Sequence, residues 1–262
     1  MKTTFIGCGN MGGAIARGLV AGNILKADDI VCCDHNADKL ARLKEACGGI
    51  ATTRDSREAV KGADMIVLAV KPWCVENSIA EFRDLIDTSH QDFVSIAAGV
   101  TFDMLKEYLQ DANATLFRVI PNTAIEVGSS MTFVSACNAS QERTARVVEM
   151  FDALGRAMLI PEDKMSAGTA LASCGIAYAM RYIRAAMEGG IELGFKADDA
   201  REIVLNTVKG ATDLLLASGE HPEDAIDKVT TPGGITIKGL NKMEEEGFSH
   251  AVIAGLKASQ SK

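Results

Sequence analysis

The sequence predicts a two-part α/β protein: a doubly wound, mostly parallel sheet over residues 1–161, then an all-α domain over residues 162–262. Three observations carry this. Apolar strand-like runs alternate with amphipathic helical segments up to Pro161, a glycine-rich turn joins the first run to the first helical pattern, and the strand-like runs stop after Pro161-Glu162-Asp163. Such alternation is what a parallel sheet covered on both faces requires.

Taken in order, the strand-like runs are 3–7, 29–34, 65–70, 93–97, 115–120, 131–135 and 157–160, each rich in Val, Ile, Phe or small apolar residues. Helical spacing of apolar residues falls between most of them, over 11–21, 37–47, 102–109 and 141–154. Beyond Pro161 one long helical pattern covers 165–193 and a second covers 198–217, which Ser218-Gly219 should stop. Pro222 suits the first position of another helix, and Ser249 is the expected cap of a last short one. An apolar helical pair this long, with about 100 residues to bury it, does not hide both faces within one subunit, so dimerisation through these helices is expected.

The junction of the first strand and helix reads Ile6-Gly7-Cys8-Gly9-Asn10-Met11-Gly12, and the second strand ends at Asp34, 22 residues after Gly12 (34 − 12). Gly7 permits the tight turn, Gly9 lets the backbone approach a pyrophosphate, and Gly12 lets the helix pack close to the strand. Free N–H groups and the positive end of the helix dipole are left facing phosphates. The strand, the helix and an acid at about the right distance turn a weak motif into a Rossmann dinucleotide site, with the Asp34 carboxylate toward the ribose. A carboxylate there accepts from a 2′-hydroxyl and repels a 2′-phosphate, so the balance favours NADH over NADPH; the alternatives are that His35 helps to bind the phosphate and that Asp34 points away as a turn residue.

Composition narrows the rest. The 27 Lys and Arg against 35 Asp and Glu give a formal charge of −8 with no long basic run, which disfavours nucleic acid as a partner. The seven cysteines form an odd set without CxxC spacing, so reduced thiols are expected rather than a disulfide framework. Four histidines without an HExxH arrangement give no metal site. No apolar run approaches the roughly 20 residues of a membrane span and the chain enters its first strand directly, so a soluble, cytoplasmic protein is expected.

Three further segments carry candidate chemistry. Leu68-Ala69-Val70-Lys71-Pro72 ends a strand, where doubly wound sheets bind ligands, so Lys71 should lie near the cofactor; otherwise it is a surface lysine before a helix whose first position is Pro72. Arg118-Val119-Ile120-Pro121-Asn122-Thr123 ends another strand, and Asn122 and Thr123 either hydrogen-bond a ligand or simply turn the chain. Thr230-Thr231-Pro232-Gly233-Gly234-Ile235-Thr236 precedes a helical run, so it forms either a backbone nest for a small anion such as a carboxylate or an N-cap turn on Thr230 or Thr231.

Together GCGNMG, AVKP, RVIPNT and above all TTPGGITIKGL, followed by Gly247-Phe248, resemble the pyrroline-5-carboxylate reductase family over essentially the full length. The resemblance implies a Rossmann domain, a helical domain that interlocks with a partner subunit, and an active site completed by the neighbour's helices, with rings of dimers in many members. It implies reduction of 1-pyrroline-5-carboxylate to L-proline by NADH or NADPH, the last step of proline synthesis. Carried across, Thr236 matches the threonine beside the substrate ring nitrogen. Thr231 and the backbone of Gly233, Gly234 and Ile235 match the grip on the substrate carboxylate. Leu68 to Pro72 and Asn122 match cofactor contacts, Ala97, Ala98 and Gly99 match the loop beside the nicotinamide, and Ser56 falls on the adenine side.

The chain departs from the family at several positions, Thr231 standing where serine is usual. Cys174-Gly175-Ile176-Ala177-Tyr178 stands where Ser-Gly-Pro-Ala-Tyr is common, and Ala124 replaces a proline after PNT. Hydroxyacid dehydrogenases share this domain order but need a catalytic lysine in the long helix, and none occurs between Lys164 and Phe195. Tyr178 and the Cys32-Cys33 pair read as packing residues. A nucleotide sensor that has lost catalysis is the non-enzymatic rival, against which the intact TPGGITI segment argues.

Overall fold

The structure, a computed structural model, describes residues 1–260. Two compact units divide it, one over Met1–Ser173 and the other over Cys174–Ser259.

The first unit holds one eight-stranded sheet with order β3-β2-β1-β4-β5-β6-β7-β8. Its strands are β1 (Thr3–Ile6), β2 (Ile30–Cys33), β3 (Ala51–Thr53), β4 (Met65–Leu68), β5 (Asp92–Ser95), β6 (Leu116–Ile120), β7 (Ser130–Cys137) and β8 (Gly155–Leu159). All neighbours pair in parallel except β6 with β7. The order reverses between β1 and β4, which makes the crevice beyond their carboxyl ends the expected ligand position. Seven strands were expected and eight form: Ala51-Thr52-Thr53 has neither length nor an apolar run, and only pairing with β2 makes it a strand.

Helices α1 (Asn10–Ala21), α2 (Ala37–Cys47), α3 (Ser56–Ala59), α4 (Val75–Phe82), α5 (Phe102–Leu109), α6 (Gln141–Asp152) and α7 (Met165–Gly168) complete this unit. Strand side chains alternate between two buried clusters: Phe5, Met65, Val67 and Phe117 pack with residues of α1, α2 and α6, while Ile6, Ile66, Leu68 and Leu116 pack with residues of α4 and α5. Asp92 is buried at the foot of β5 and ties α6 to the sheet, accepting from Arg143 Nε at 2.5 Å and Arg146 Nη2 at 2.9 Å. Removing one side of such a buried pair typically costs about 3–5 kcal/mol. Pro72 opens a 3-10 turn, Pro72–Cys74, rather than an α-helix, which begins one step later as α4.

The expected helix over 165–193 forms with an interruption. Between α7 and α8 (Gly175–Glu192) the backbone takes a π turn over Thr169–Cys174, fastened where Ser173 Oγ donates to the Pro121 carbonyl at 3.2 Å. The second unit continues with α9 (Ala197–Ser218), α10 (Pro222–Lys228), α11 (Ile235–Glu245) and α12 (Phe248–Ala258). Gly219 stops α9 in the left-handed region (φ 66°), and Pro222 opens α10. Ser249 does not cap α12; the cap is Gly247 at φ 82°, and the Ser249 hydroxyl donates to Glu244 instead. Among the described residues no helix is long and apolar enough to cross a membrane.

Candidate active site

The glycine turn is built as its sequence demands. Gly7 has φ 95°, and a Cβ there would sit 2.8 Å from the Ala69 carbonyl oxygen; its N–H donates to the Cys33 carbonyl at 2.8 Å. A Cβ on Gly12 would lie 2.2 Å from the Gly7 oxygen and 2.9 Å from the Ala69 Cβ, so only glycine lets α1 start this close to β1 and β4. Gly9 differs: nothing lies within 4 Å of its would-be Cβ. It caps α1 with no side chain bonded across the first turn, which leaves first-turn N–H groups without a side-chain partner next to that open space. A phosphate group fits that description.

Ile6, Cys8, Asn10 and Met11 are the other residues of this turn, the first two buried and Asn10 exposed. The Cys8 thiol is buried and its titration is pushed strongly upward, first by its hydrogen bond with the Cys32 thiol and then by burial; burial likewise raises Cys33 to about 12. These thiols remain protonated and pack as small apolar groups beneath the loop.

Asp34 lies just past β2, and its carboxylate is already engaged. Oδ2 accepts from the Cys8 backbone N–H at 2.8 Å, Oδ1 accepts from the Asn36 N–H at 2.9 Å, and Lys39 Nζ stands 4.0 Å away. The acid thus holds the glycine turn in place and keeps lone pairs for a further donor. His35 beside it is exposed.

Leu68, Ala69, Val70, Lys71 and Pro72 leave β4 along the same edge, where Ala69 N–H donates to the Ile6 carbonyl at 2.8 Å. Lys71 is exposed and has no ion-pair partner among the described residues. Ala97, Ala98 and Gly99 follow β5 in register with β4, and Gly99, at φ 80°, faces open space. Two expected cofactor contacts turn inward instead. Ser56 is buried and its hydroxyl donates to Glu81 Oε2 at 2.6 Å. Asn122 is buried, accepts from Ala124 N–H at 3.0 Å, and donates to the Ala172 carbonyl at 3.5 Å. The bonds to Glu81 and Ala172 were not visible in the sequence, because those partners lie 25 and 50 residues away, whereas the Asn122 bond to Ala124 is the turn that the sequence offered as its alternative.

In the second unit, Thr231 to Thr236 form one continuous turn into α11. Gly233 has φ 70°, Gly234 is the cap, and the Gly234 N–H donates to the Thr231 carbonyl at 2.9 Å. A Cβ on Gly234 would stand 2.6 Å from Thr231 Oγ1. Neither Thr230 nor Thr231 caps α11, as an ordinary N-cap would; Thr230 Oγ1 instead donates back to carbonyls of α10. The first-turn N–H groups of α11 are free of side-chain caps, beside the exposed Ile235 and Thr236. That arrangement can hold a small carboxylate. Tyr178 is a packing residue, its hydroxyl bonded to the Gly255 carbonyl at 3.3 Å and to Ser259.

Comparison with known proteins covers both segments of the chain. A family model for pyrroline-5-carboxylate reductase dimerisation matches residues 162–262, and one for coenzyme F420-dependent NADP oxidoreductases matches residues 2–99. Pyrroline-5-carboxylate reductases 1 and 2 of Dictyostelium discoideum are each 36% identical to 98% of this chain, which spans 48% of the first protein and 90% of the second. Among solved structures, a pyrroline-5-carboxylate reductase of Coxiella burnetii superposes with a TM-score of 0.91 at 29% identity, covering 98% of this chain and 95% of that one. A Plasmodium falciparum pyrroline carboxylate reductase with NADP bound gives 0.89 at 25% identity, over 99% and 95%. Identity at this level across nearly the whole chain establishes that it belongs to the pyrroline-5-carboxylate reductase family.

Proposed function

We infer that the chain is a pyrroline-5-carboxylate reductase that passes a hydride from NAD(P)H to the C=N carbon of 1-pyrroline-5-carboxylate, the ring nitrogen ending as the amine of L-proline. The observation that carries this is the Pro232-Gly233-Gly234 turn opening α11 without a side-chain cap, in a chain that also has an open-faced Gly9 turn. The bound cofactor supplies the hydride, and the protein aligns donor and acceptor and excludes water. A protonated imine is already electrophilic, so no strongly tuned acid is demanded. Following cofactor oxidation with pyrroline-5-carboxylate tests the reading, and absence of turnover rejects it.

The residue roles follow from that inference. The backbone of Gly233, Gly234 and Ile235, with Thr231, binds the carboxylate, and Thr236 is the catalytic residue that orients the ring nitrogen or relays its proton through water. The dinucleotide is held by Ile6 to Gly12, Asp34 and His35 at one end and by Leu68 to Pro72 and Ala97 to Gly99 at the other. The proposed boundary between cofactor and helical domains is 161/162; the start of the dimerisation family model at residue 162 supports it, while the compact units divide twelve residues later, at 173/174. Thr236→Ala is expected to lower kcat/KM by roughly tenfold to a thousandfold, as loss of one positioned hydrogen bond does. Kinetics equal to wild type in that variant exclude the role.

NADH is the proposed preferred donor. The Asp34 carboxylate is fixed by two backbone N–H groups, so it cannot turn aside from an incoming 2′-phosphate without releasing the glycine turn. Two like charges about 4 Å apart repel by roughly 1 kcal/mol even in bulk water, which sets a preference of about fivefold or more for NADH. A kcat/KM ratio that favours NADPH overturns this assignment.

A further inference from the structure

We propose that Glu162 is a positioning residue for the Ala97 to Gly99 loop, holding that loop by its exit; this rests on the reading of the loop as the one beside the nicotinamide. The loop leaves β5 anchored, with Ile96 N–H donating to the Leu68 carbonyl at 3.1 Å, and turns through Val100 N–H to the Ala97 carbonyl at 3.4 Å. Its exit is Phe102, the first residue of α5. That N–H belongs to the first turn of a helix and has no intrahelical partner. Thr101 caps Met104 N–H and leaves Phe102 unserved.

Glu162 serves it from 60 residues away: Oε1 accepts the Phe102 N–H at 2.8 Å. The same oxygen accepts from Arg118 Nη1 at 2.7 Å. Arg118 is only 7% exposed, and its Nε has no partner. A carboxylate whose task was only to neutralise this guanidinium would place its oxygens on both guanidinium edges, the usual two-pronged geometry. Here one oxygen is shared with the loop exit and the Arg118 Nε goes unbonded, so the carboxylate is placed for the loop as much as for the arginine. Its negative charge also stands at the N-terminal end of α5, where the helix dipole favours it. Released at this end, the loop keeps its anchor on β4 but loses the fixed direction in which it presents Gly99.

The test uses four full-length proteins: wild type, Glu162→Gln, Arg118→Met, and the double variant Glu162→Ala/Arg118→Met, which frees the loop exit without burying an unpaired charge. Hydrogen exchange of a 96–104 peptide in cofactor-free protein and the NADH Kd from fluorescence are the readouts. In the double variant the loop amides are expected to exchange roughly tenfold faster and NADH to bind roughly tenfold more weakly, the scale for one charge-assisted hydrogen bond. Glu162→Gln keeps an oxygen for the Phe102 N–H but loses the charge, and is expected to fall between wild type and the double variant in both readouts; Arg118→Met keeps the carboxylate and is expected to stay near wild type in both. A double variant that melts lower but exchanges and binds as wild type does makes the pair merely structural and overturns the proposal, as does an Arg118→Met protein with the double variant's behaviour. Neither readout needs turnover, so a failed assay with pyrroline-5-carboxylate sinks the reductase reading and leaves these outcomes to judge Glu162.

Discussion

Alanine in place of Gly12 is expected to lower kcat/KM about 100-fold, with NADH binding weakened in parallel. The backbone at Gly12 is ordinary, so the cost is not conformational; it is a collision. An added Cβ would lie 2.2 Å from the Gly7 carbonyl oxygen, and its other near neighbour is the Ala69 Cβ at 2.9 Å. Neither atom is the far end of a flexible side chain, so α1 or the glycine turn must shift by about an ångström, a displacement that can cost about 10²-fold in a positioned reaction. The shift also strains the Asp34 carboxylate, which holds the adjacent Cys8 N–H at 2.8 Å. Gly9→Ala provides the comparison, because its Cβ meets no protein atom within 4 Å and clashes only with what binds there. Gly9→Ala should therefore keep wild-type stability while losing cofactor affinity, whereas Gly12→Ala loses both. NADH affinity within threefold of wild type in Gly12→Ala would refute this account of the turn.

These contrasts show which parts of the architecture local residue patterns could specify. Strands such as β4 and β6 announce themselves because their runs are apolar and buried on both faces, and α2 and α5 because apolar residues recur at helical spacing. β3 does not, since Ala51-Thr52-Thr53 is a strand only by pairing with β2. The π turn over Thr169–Cys174 is equally silent: Thr-Ala-Leu-Ala-Ser-Cys has the composition of an unbroken helix, and the turn is held from outside by Pro121 and Asn122. Ser249 misled because it has the right chemistry for a cap, but Gly247 reaches φ 82°, which serine two positions later cannot supply.

The same division runs through the site. Positions set by backbone geometry were legible: Gly7, Gly12 and Gly234 each stand where a Cβ would strike another part of the chain. Side chains whose roles depend on distant partners were not. Asp34 reads as a ribose ligand, and nothing in the sequence reveals that both its oxygens already serve backbone N–H groups. Ser56 and Asn122 read as ligand contacts, yet the Ser56 hydroxyl and the Asn122 amide nitrogen bond residues far along the chain, and the Asn122 oxygen closes its own local turn. Glu162 read only as part of the Pro161-Glu162-Asp163 stop, because its partners lie 60 and 44 residues away and the RVIPNT segment that begins with Arg118 gives no hint of that pairing.

Light scattering at micromolar concentration is expected to give a mass of at least twice the 27.8 kDa chain. The reason lies in the second unit taken by itself. From Cys174 to Ser259, Ala200 is the one residue that is buried, and Leu193, Phe195, Leu214, Leu216 and Ile253 are among the large apolar side chains left exposed. A unit of this size cannot be stable with so little of its surface removed from water, since each fully buried Leu or Phe contributes about 1.5–3 kcal/mol and the ordering of the helices must be offset by many of them. A second copy of the same helices supplies the missing cover, and their spacing of small residues such as Gly189, Gly190 and Gly210 permits close crossing. Ile203 and Leu214 are 11 residues apart on α9, about three turns, so they lie on one side of it. Replacing both by aspartate would place two charges in the contact, and the doubly substituted protein should fall to the monomer mass with a markedly lower Tm. A wild-type protein that scatters as a stable monomer would leave these side chains without cover and remove the argument for a shared helical core.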